Sequence, residues 1–285
     1  MPPLYHRPFS AHMPEEHYNY PEHLRESLAG MPNTPGVYTF HGEKLPLYIG
    51  KSINLRTRVL SHFRNIKEAR LLQQTREISF IPTAGELGAL LLEASMIKTY
   101  QPLFNKRLRK NRQLCSLQLT EHHPQLVYAK TVNFAHTENL FGLFANRHRA
   151  LEALHQIADT QQLCLVRMGL ESRPANQRCF RASLGRCSGV CYGKDTPSAH
   201  DARMALALEG MRITCWPWKG AVAVMEESTT LRQYHVVNHW FYLGSASTLA
   251  QARKLKQCHS GFDSDGYKIL CKPLLSGRYE AITLA

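Results

Sequence analysis

Residues 36–63 read GVYTFHGEKLPLYIGKSINLRTRVLSHF. Two short runs carry a tyrosine each, Gly36-Val37-Tyr38 and Tyr48-Ile49-Gly50. Between them lie Gly42 and Pro46, residue types that mark a turn between strands. Alternation over 36–41 and 45–49 predicts an antiparallel hairpin. Asn54 then offers an N-cap for a helix that ends near Phe63. Working outward, 21–28 predicts a short helix with Pro at its first turn, and 66–74 another helical piece. A third strand is expected over 77–81, where Pro82 stops it. Thr83-Ala84-Gly85-Glu86 has the form of a capping box, which predicts a long helix from Ala84 to about Tyr100, closed by Pro102. The economical arrangement is a small three-stranded antiparallel sheet flanked by helices.

Beyond this module, 114–120, 125–132 and 139–144 read as strands, 147–160 as an amphipathic helix and 197–212 as a further helix. The tail alternates at 221–225, 234–243 and 267–271, and Asp263-Ser264-Asp265-Gly266 reads as a turn before a last strand. The fold class expected is α+β. The expected layout is a flexible extension over 1–30, a first domain over 31–110, and over 111–285 a second α+β domain with a Cys-rich segment over 164–191 and a strand-rich tail.

Hydrophobic residues make up 44% of the 285, enough for proper cores, and no apolar run approaches the ~20 residues that span a bilayer. The polar start, MPPLYHRPFSAHMPEEH, lacks the apolar core of a signal peptide, so a cytoplasmic location is expected. A net charge of +13 favours an anionic partner, with nucleic acid ahead of an acidic membrane surface. The densest run is Lys106-Arg107-Leu108-Arg109-Lys110-Asn111-Arg112. It is either a solvated linker or, through Lys106, Arg107, Arg109 and Lys110, a set of phosphate contacts.

The long helix holds an anomaly. On a 3.6-residue period Glu93 shares a face with Ala89, Leu90, Met96 and Ile97. A carboxylate there must be paired, protonated or bound to a metal. Arg58 and His62 project from one face of the preceding helix, at i and i+4, and Lys51 directly follows the second strand. Two phenols, three cationic groups and one carboxylate suit phosphodiester hydrolysis. A metal on the carboxylate polarises the phosphate, cations stabilise developing charge and a base activates water. A phenol with a reference pKa near ~10 costs about 4 kcal/mol to ionise at neutral pH, so neighbouring cations matter. Both tyrosines are also ordinary strand residues.

These residues resemble the GIY-YIG nuclease signature, and with LLEASMIKTYQPLFN the stretch is similar to the N-terminal nuclease domain of the UvrC family of bacterial excision repair. The resemblance implies Glu93 as the one Mg²⁺ or Mn²⁺ ligand, Arg58 against the scissile phosphate and Lys51 lowering a tyrosine pKa. It also implies Asn105 as a supporting residue and Tyr38 or Tyr48 as the group that activates water, with Tyr38 the first choice. His62 departs from the pattern, which usually has Tyr there. The chain ends without a second acidic cluster and so resembles the short UvrC homologues of the Cho type. That implies one incision, 3′ of a lesion, on damaged double-stranded DNA already engaged by UvrB, with UvrA acting upstream.

Cys179-x7-Cys187-x3-Cys191, with Cys164 upstream, has the look of a ligand set, although the spacing is irregular for a zinc ribbon. Four thiolates suit Zn²⁺ or [4Fe–4S], and free thiols in a loop are the alternative. Arg173, Arg178, Arg181, Arg186 and Lys194 would offset the charge. The UvrC resemblance extends to these spacings and implies [4Fe–4S], with Zn²⁺ next. Cys115, Cys215, Cys258 and Cys271 read as small core residues. Two rival functions remain at this level: a non-catalytic DNA-binding module organised by the cysteines, and another GIY-YIG endonuclease such as one from a mobile element.

Overall fold

Tyr38 and Phe40 alternate with Val37 and Thr39 along β1 (Gly36–His41), and all four are buried, because this strand is central and covered on both faces. It pairs antiparallel with β2 (Pro46–Ser52) and β3 (Glu77–Pro82), giving the order β2-β1-β3. The computed structural model describes residues 20–106, 113–121, 123–172, 178–255 and 261–284. One face of the sheet is closed by α1 (Leu55–Phe63) and α2 (Ala69–Gln74), whose Leu55, Val59, Phe63, Leu71 and Leu72 pack with Tyr38 and Phe40. Asn54 caps α1 by accepting from the Thr57 N–H, as its sequence position suggests. The other face takes Ile97, Leu92 and Met96 of α3 (Glu86–Tyr100) against Val37 and Ile49. The expected helix over 21–28 is instead two 3₁₀ turns, Glu22–Leu24 and Glu26–Leu28.

The rest of the chain builds two further sheets. Strands β4 (Cys115–Thr120), β5 (His123–Tyr128) and β6 (Leu140–Phe144) form the order β5-β4-β6. They share a core with α4 (Arg147–Thr160) and α6 (Pro197–Glu209), while the single turn α5 (Phe180–Ser183) lies in the cysteine segment. Strands β7 (Val222–Glu227), β8 (Arg232–Asn238), β9 (Phe241–Ala246) and β10 (Ala281–Thr283) form the order β10-β7-β8-β9. With them go the short α7 (Leu249–Ala252) and α8 (Ser264–Leu275). Among the described residues no helix is long and apolar enough to cross a membrane.

Three further expectations are corrected. The 267–271 strand is part of α8, because Asp263 acts as an N-cap, accepting from the Asp265 and Gly266 N–H groups, rather than as a turn residue. The 234–243 strand breaks at His239 and Trp240, both left-handed (φ 51° and 69°), in a tight turn between β8 and β9. The capping box does not form: the Thr83 hydroxyl donates to the Gly85 carbonyl, and α3 begins at Glu86.

α3 belongs to two cores at once. Its Leu87 and Leu91 pack with Trp216, Val224, Trp240 and Leu270 of the C-terminal sheet and α8. A helix apolar on most of its sides is the consequence.

Candidate active site and cysteine cluster

The register of β1 and β2 sets Tyr38 opposite Gly50 and Phe40 opposite Tyr48, so both phenols rise from one face. Gly50 is required there. A methyl on it would stand 2.3 Å from the Tyr38 hydroxyl and 2.9 Å from the Tyr48 ring. The rings lie 6.2 Å apart.

Their surroundings differ. Tyr38 is 1% exposed, and its hydroxyl lies 2.7 Å from His62 Nε2. His62 is itself buried, with Nδ1 against the carboxylate of Glu68, which Asn65 holds by a 3.0 Å bond. A neutral His62 that donates from Nδ1 to Glu68 accepts the Tyr38 proton at Nε2. Burial pushes the Tyr38 phenol well up, the Tyr48 charge adds to this, and Arg58 opposes both. Burial lowers His62 against the pull of Glu68. Tyr48 is only half-buried. Burial and then Glu93 raise its pKa, and Arg58 draws it back. Arg58 is exposed, and its guanidinium faces both phenols.

Glu93 is half-buried on α3. One oxygen accepts the Lys51 backbone N–H at 3.1 Å, and among the described residues no cationic side chain forms an ion pair with it. Burial pushes its carboxyl up, opposed by the Lys51 N–H and the Lys51 charge. A hard-oxygen donor that is partly desolvated and unpaired fits a divalent cation. The Lys51 side chain lies with its Nζ on Glu86 at 2.9 Å, because the end of β2 aims it at the first turn of α3. Arg58 is therefore the cation set against the phenols. Asn105 is buried and makes a two-way bond with the Ile49 backbone, accepting at 2.9 Å and donating at 2.8 Å. It fixes β2 beside Tyr48. Glu68 escaped the sequence reading, although its place six residues beyond His62 was a usable signal. Lys106 is exposed; Arg107, Arg109 and Lys110 lie outside the described residues.

The four cysteines come together. The Sγ atoms of Cys164, Cys179, Cys187 and Cys191 all lie within 4.8 Å of one another, three of them buried. Cys164, distant in sequence, is held because its N–H donates to the buried His200 Nε2 at 3.0 Å, with Nδ1 of that ring on Asp201. Burial and neighbouring thiols push Cys187 up to about 12. Thiols so crowded resist ionising alone, so a cationic centre fits this donor set. Arg178 stacks on Tyr192 and Arg181 pairs with Asp159 at the rim, whereas Arg173 lies outside the described residues. Cys115 is fully buried and Cys215 and Cys271 partly so; Cys258 lies outside the described residues.

Comparison with known proteins follows the same divisions. Residues 34–106 match the UvrC-like GIY-YIG domain, 114–210 the UvrC/Cho excinuclease middle domain and 221–285 the excinuclease Cho C-terminal domain. Excinuclease cho of Salmonella typhi is 56% identical over 94% of this chain and 92% of its own length. The Escherichia coli protein of that name is 56% identical over 94% and 91%. A solved structure of the GIY-YIG N-terminal endonuclease domain of UvrC from Thermotoga maritima, bound to magnesium, is 34% identical. It covers 30% of this chain and 97% of that one, with a TM-score of 0.28.

Proposed function

This chain belongs to the excinuclease Cho family of DNA repair endonucleases, and from that premise we propose that it makes one incision 3′ of a lesion on damaged DNA held by UvrB. The observation that carries the reading is that Tyr38 and Tyr48 rise from one face of the sheet with rings 6.2 Å apart, beside Arg58 on α1 and Glu93, which α3 holds against the Lys51 N–H.

Glu93 would hold one Mg²⁺ or Mn²⁺, which when bound polarises the scissile phosphate and offsets its growing charge. Arg58, exposed at the mouth of the site, binds a phosphate oxygen by charge-assisted hydrogen bonds. Tyr48 is the phenol open to water; ionised, with the Arg58 charge beside it, its oxygen takes the proton of the attacking water as the water oxygen bonds to phosphorus, a P–O bond of the backbone breaks and the departing oxygen is protonated from solvent. Tyr38, buried and bonded to His62, keeps the aromatic floor in place. Asn105 holds the strand from which Tyr48 projects. The exposed Lys106 extends the phosphate-binding surface, with Arg107, Arg109 and Lys110 following it in sequence.

For the cysteines we propose [4Fe–4S], on the irregular x7 and x3 spacings. Zn²⁺ is the second reading. The closeness of the four sulfurs favours it, since thiolates around one tetrahedral zinc ion lie about 3.8 Å apart. Iron, sulfide and zinc content of anaerobically purified protein separates the two.

The test of function is incision of an end-labelled lesion duplex with UvrA, UvrB and Mg²⁺. The wild type is expected to nick 3′ of the lesion, and Glu93→Ala and Arg58→Ala to bind DNA without nicking. Undiminished cutting by both variants removes the site assignment. DNA binding by the wild type without any cutting favours the binding-module reading.

A further inference from the structure

Helix α3 starts without a cap of its own, since Gly85 at the N-cap position supplies no side-chain acceptor. Its first amides are met from elsewhere in the chain. Glu226 on β7 accepts the Leu87 N–H on Oε1 at 3.0 Å and the Gly88 N–H on Oε2 at 2.7 Å. Beside it, the Ala84 N–H donates to Gln233 on β8 at 2.8 Å. Unpaired amides and the helix dipole make this the favoured place for a carboxylate.

Glu226 is committed to that task. It is 8% exposed, and its other acceptor positions are filled by the Tyr279 hydroxyl at 3.2 Å and by His235 Nε2 at 3.0 Å. His235 is fully buried, with Nδ1 2.7 Å from the Ser245 hydroxyl. Burial opposes the charged form of Glu226, yet the bonds from His235, Gly88 and Leu87 outweigh it and hold the carboxyl below its usual range.

The helix is shaped to admit this group. A methyl at Gly85 would lie 2.3 Å from Glu226 Oε1, and one at Gly88 would lie 2.5 Å from the His235 ring. Toward the far end, Lys98 pairs with Asp263 at 2.5 Å and Asp265 at 3.2 Å, at the start of α8. Between these grips Leu87 and Leu91 sit in the C-terminal core. Glu93 lies between the two anchors, on the same rigid element.

We propose that Glu226 is a positioning residue for the cation: the C-terminal sheet sets the axial place of α3, and with it the Glu93 carboxylate. The inference rests on Glu93 being the cation ligand. Groups bonded directly to a metal ligand change affinity by about 10- to 100-fold when removed; Glu226 acts through the helix that carries Glu93, so an effect at the lower end, about tenfold, is expected.

The experiment is Mn²⁺ binding to the full chain without DNA, read from the paramagnetic resonance signal of free Mn²⁺. Wild type, Glu226→Gln, Gly88→Ala and Glu93→Ala are compared, each checked for a cooperative melt. Glu226→Gln removes the charge in nearly the same shape, and Gly88→Ala wedges the helix start away while keeping every charged group. Both are expected to reach half-occupancy at about tenfold higher Mn²⁺, with the same occupancy at saturation, and Glu93→Ala to lose the site. Wild-type titrations in whichever of the first two variants folds overturn the proposal, even where Glu93→Ala has lost the ion. Wild-type binding by Glu93→Ala instead removes the ligand assignment on which the proposal stands.

Discussion

Tyr38 commits its hydroxyl to His62 in a closed site, whereas Tyr48 stays half-open beside Arg58 and Glu93. The two substitutions to Phe should therefore separate. Tyr48→Phe removes the base and is expected to lower the single-turnover incision rate by about 10²- to 10⁴-fold, with the melting temperature little changed. Tyr38→Phe loses one buried hydrogen bond and leaves His62 without a donor, a cost of about 1–3 kcal/mol read in the thermal melt, with the smaller effect on rate. The reverse ranking of rates would make Tyr38 the base. The sequence reading put Tyr38 first as the base; burial moves the proposal to Tyr48, and burial depends on which helix closes over which strand. For Lys51 the aim of the side chain was likewise beyond the sequence, since a residue at a strand end can point at the phenols or at α3, and only the packed structure shows the bond to Glu86.

At the scale of elements, the β1–β2 hairpin is unusually sensitive to one missing side chain. Gly50→Ala would press a methyl into the Tyr38 hydroxyl and the edge of the Tyr48 ring. Overpacking of this kind costs about 1–3 kcal/mol, and incision should fall with it because both phenols must shift. A wild-type melt and rate together would mean that the strands open without cost. Elements whose signals are local were legible from the sequence: the hairpin from its alternation, α1 from the asparagine that caps it and α4 from its amphipathic pattern. Those with distant determinants were not. Asp263 looks the same before a turn as before a helix, and the face formed by Tyr267, Leu270 and Leu274 gains meaning only once Trp240 lies against it. The cap of α3 was beyond local reading, because its acceptor is 139 residues away from Leu87. The cysteine set was legible as a group, while the His200 that draws Cys164 into it was not.

For the molecule as a whole, three buried or half-buried histidines set a pH dependence. His62, His200 and His239 are each lowered chiefly by burial, with His136 adding to the effect at His239. In the unfolded chain such rings take up a proton near pH ~6.5, so the unfolded state binds more protons below that value and stability falls as pH is lowered through it. Thermal melts between pH 7.5 and 5 should show the midpoint dropping toward acid, and His62→Gln should flatten the drop by its own share. Equal slopes in the two proteins would assign the effect to the other rings.

The double membership of α3 has a consequence for modularity. Its Leu87 and Leu91 are buried by Trp216, Trp240 and Leu270, so a nuclease cut out at residue 110 would carry a bare greasy stripe beside two uncapped amides. Transplanting this cutting unit onto a different DNA reader would then mean moving the sheet that contains Glu226 along with it. Separable in sequence, the blade and its handle share a spine.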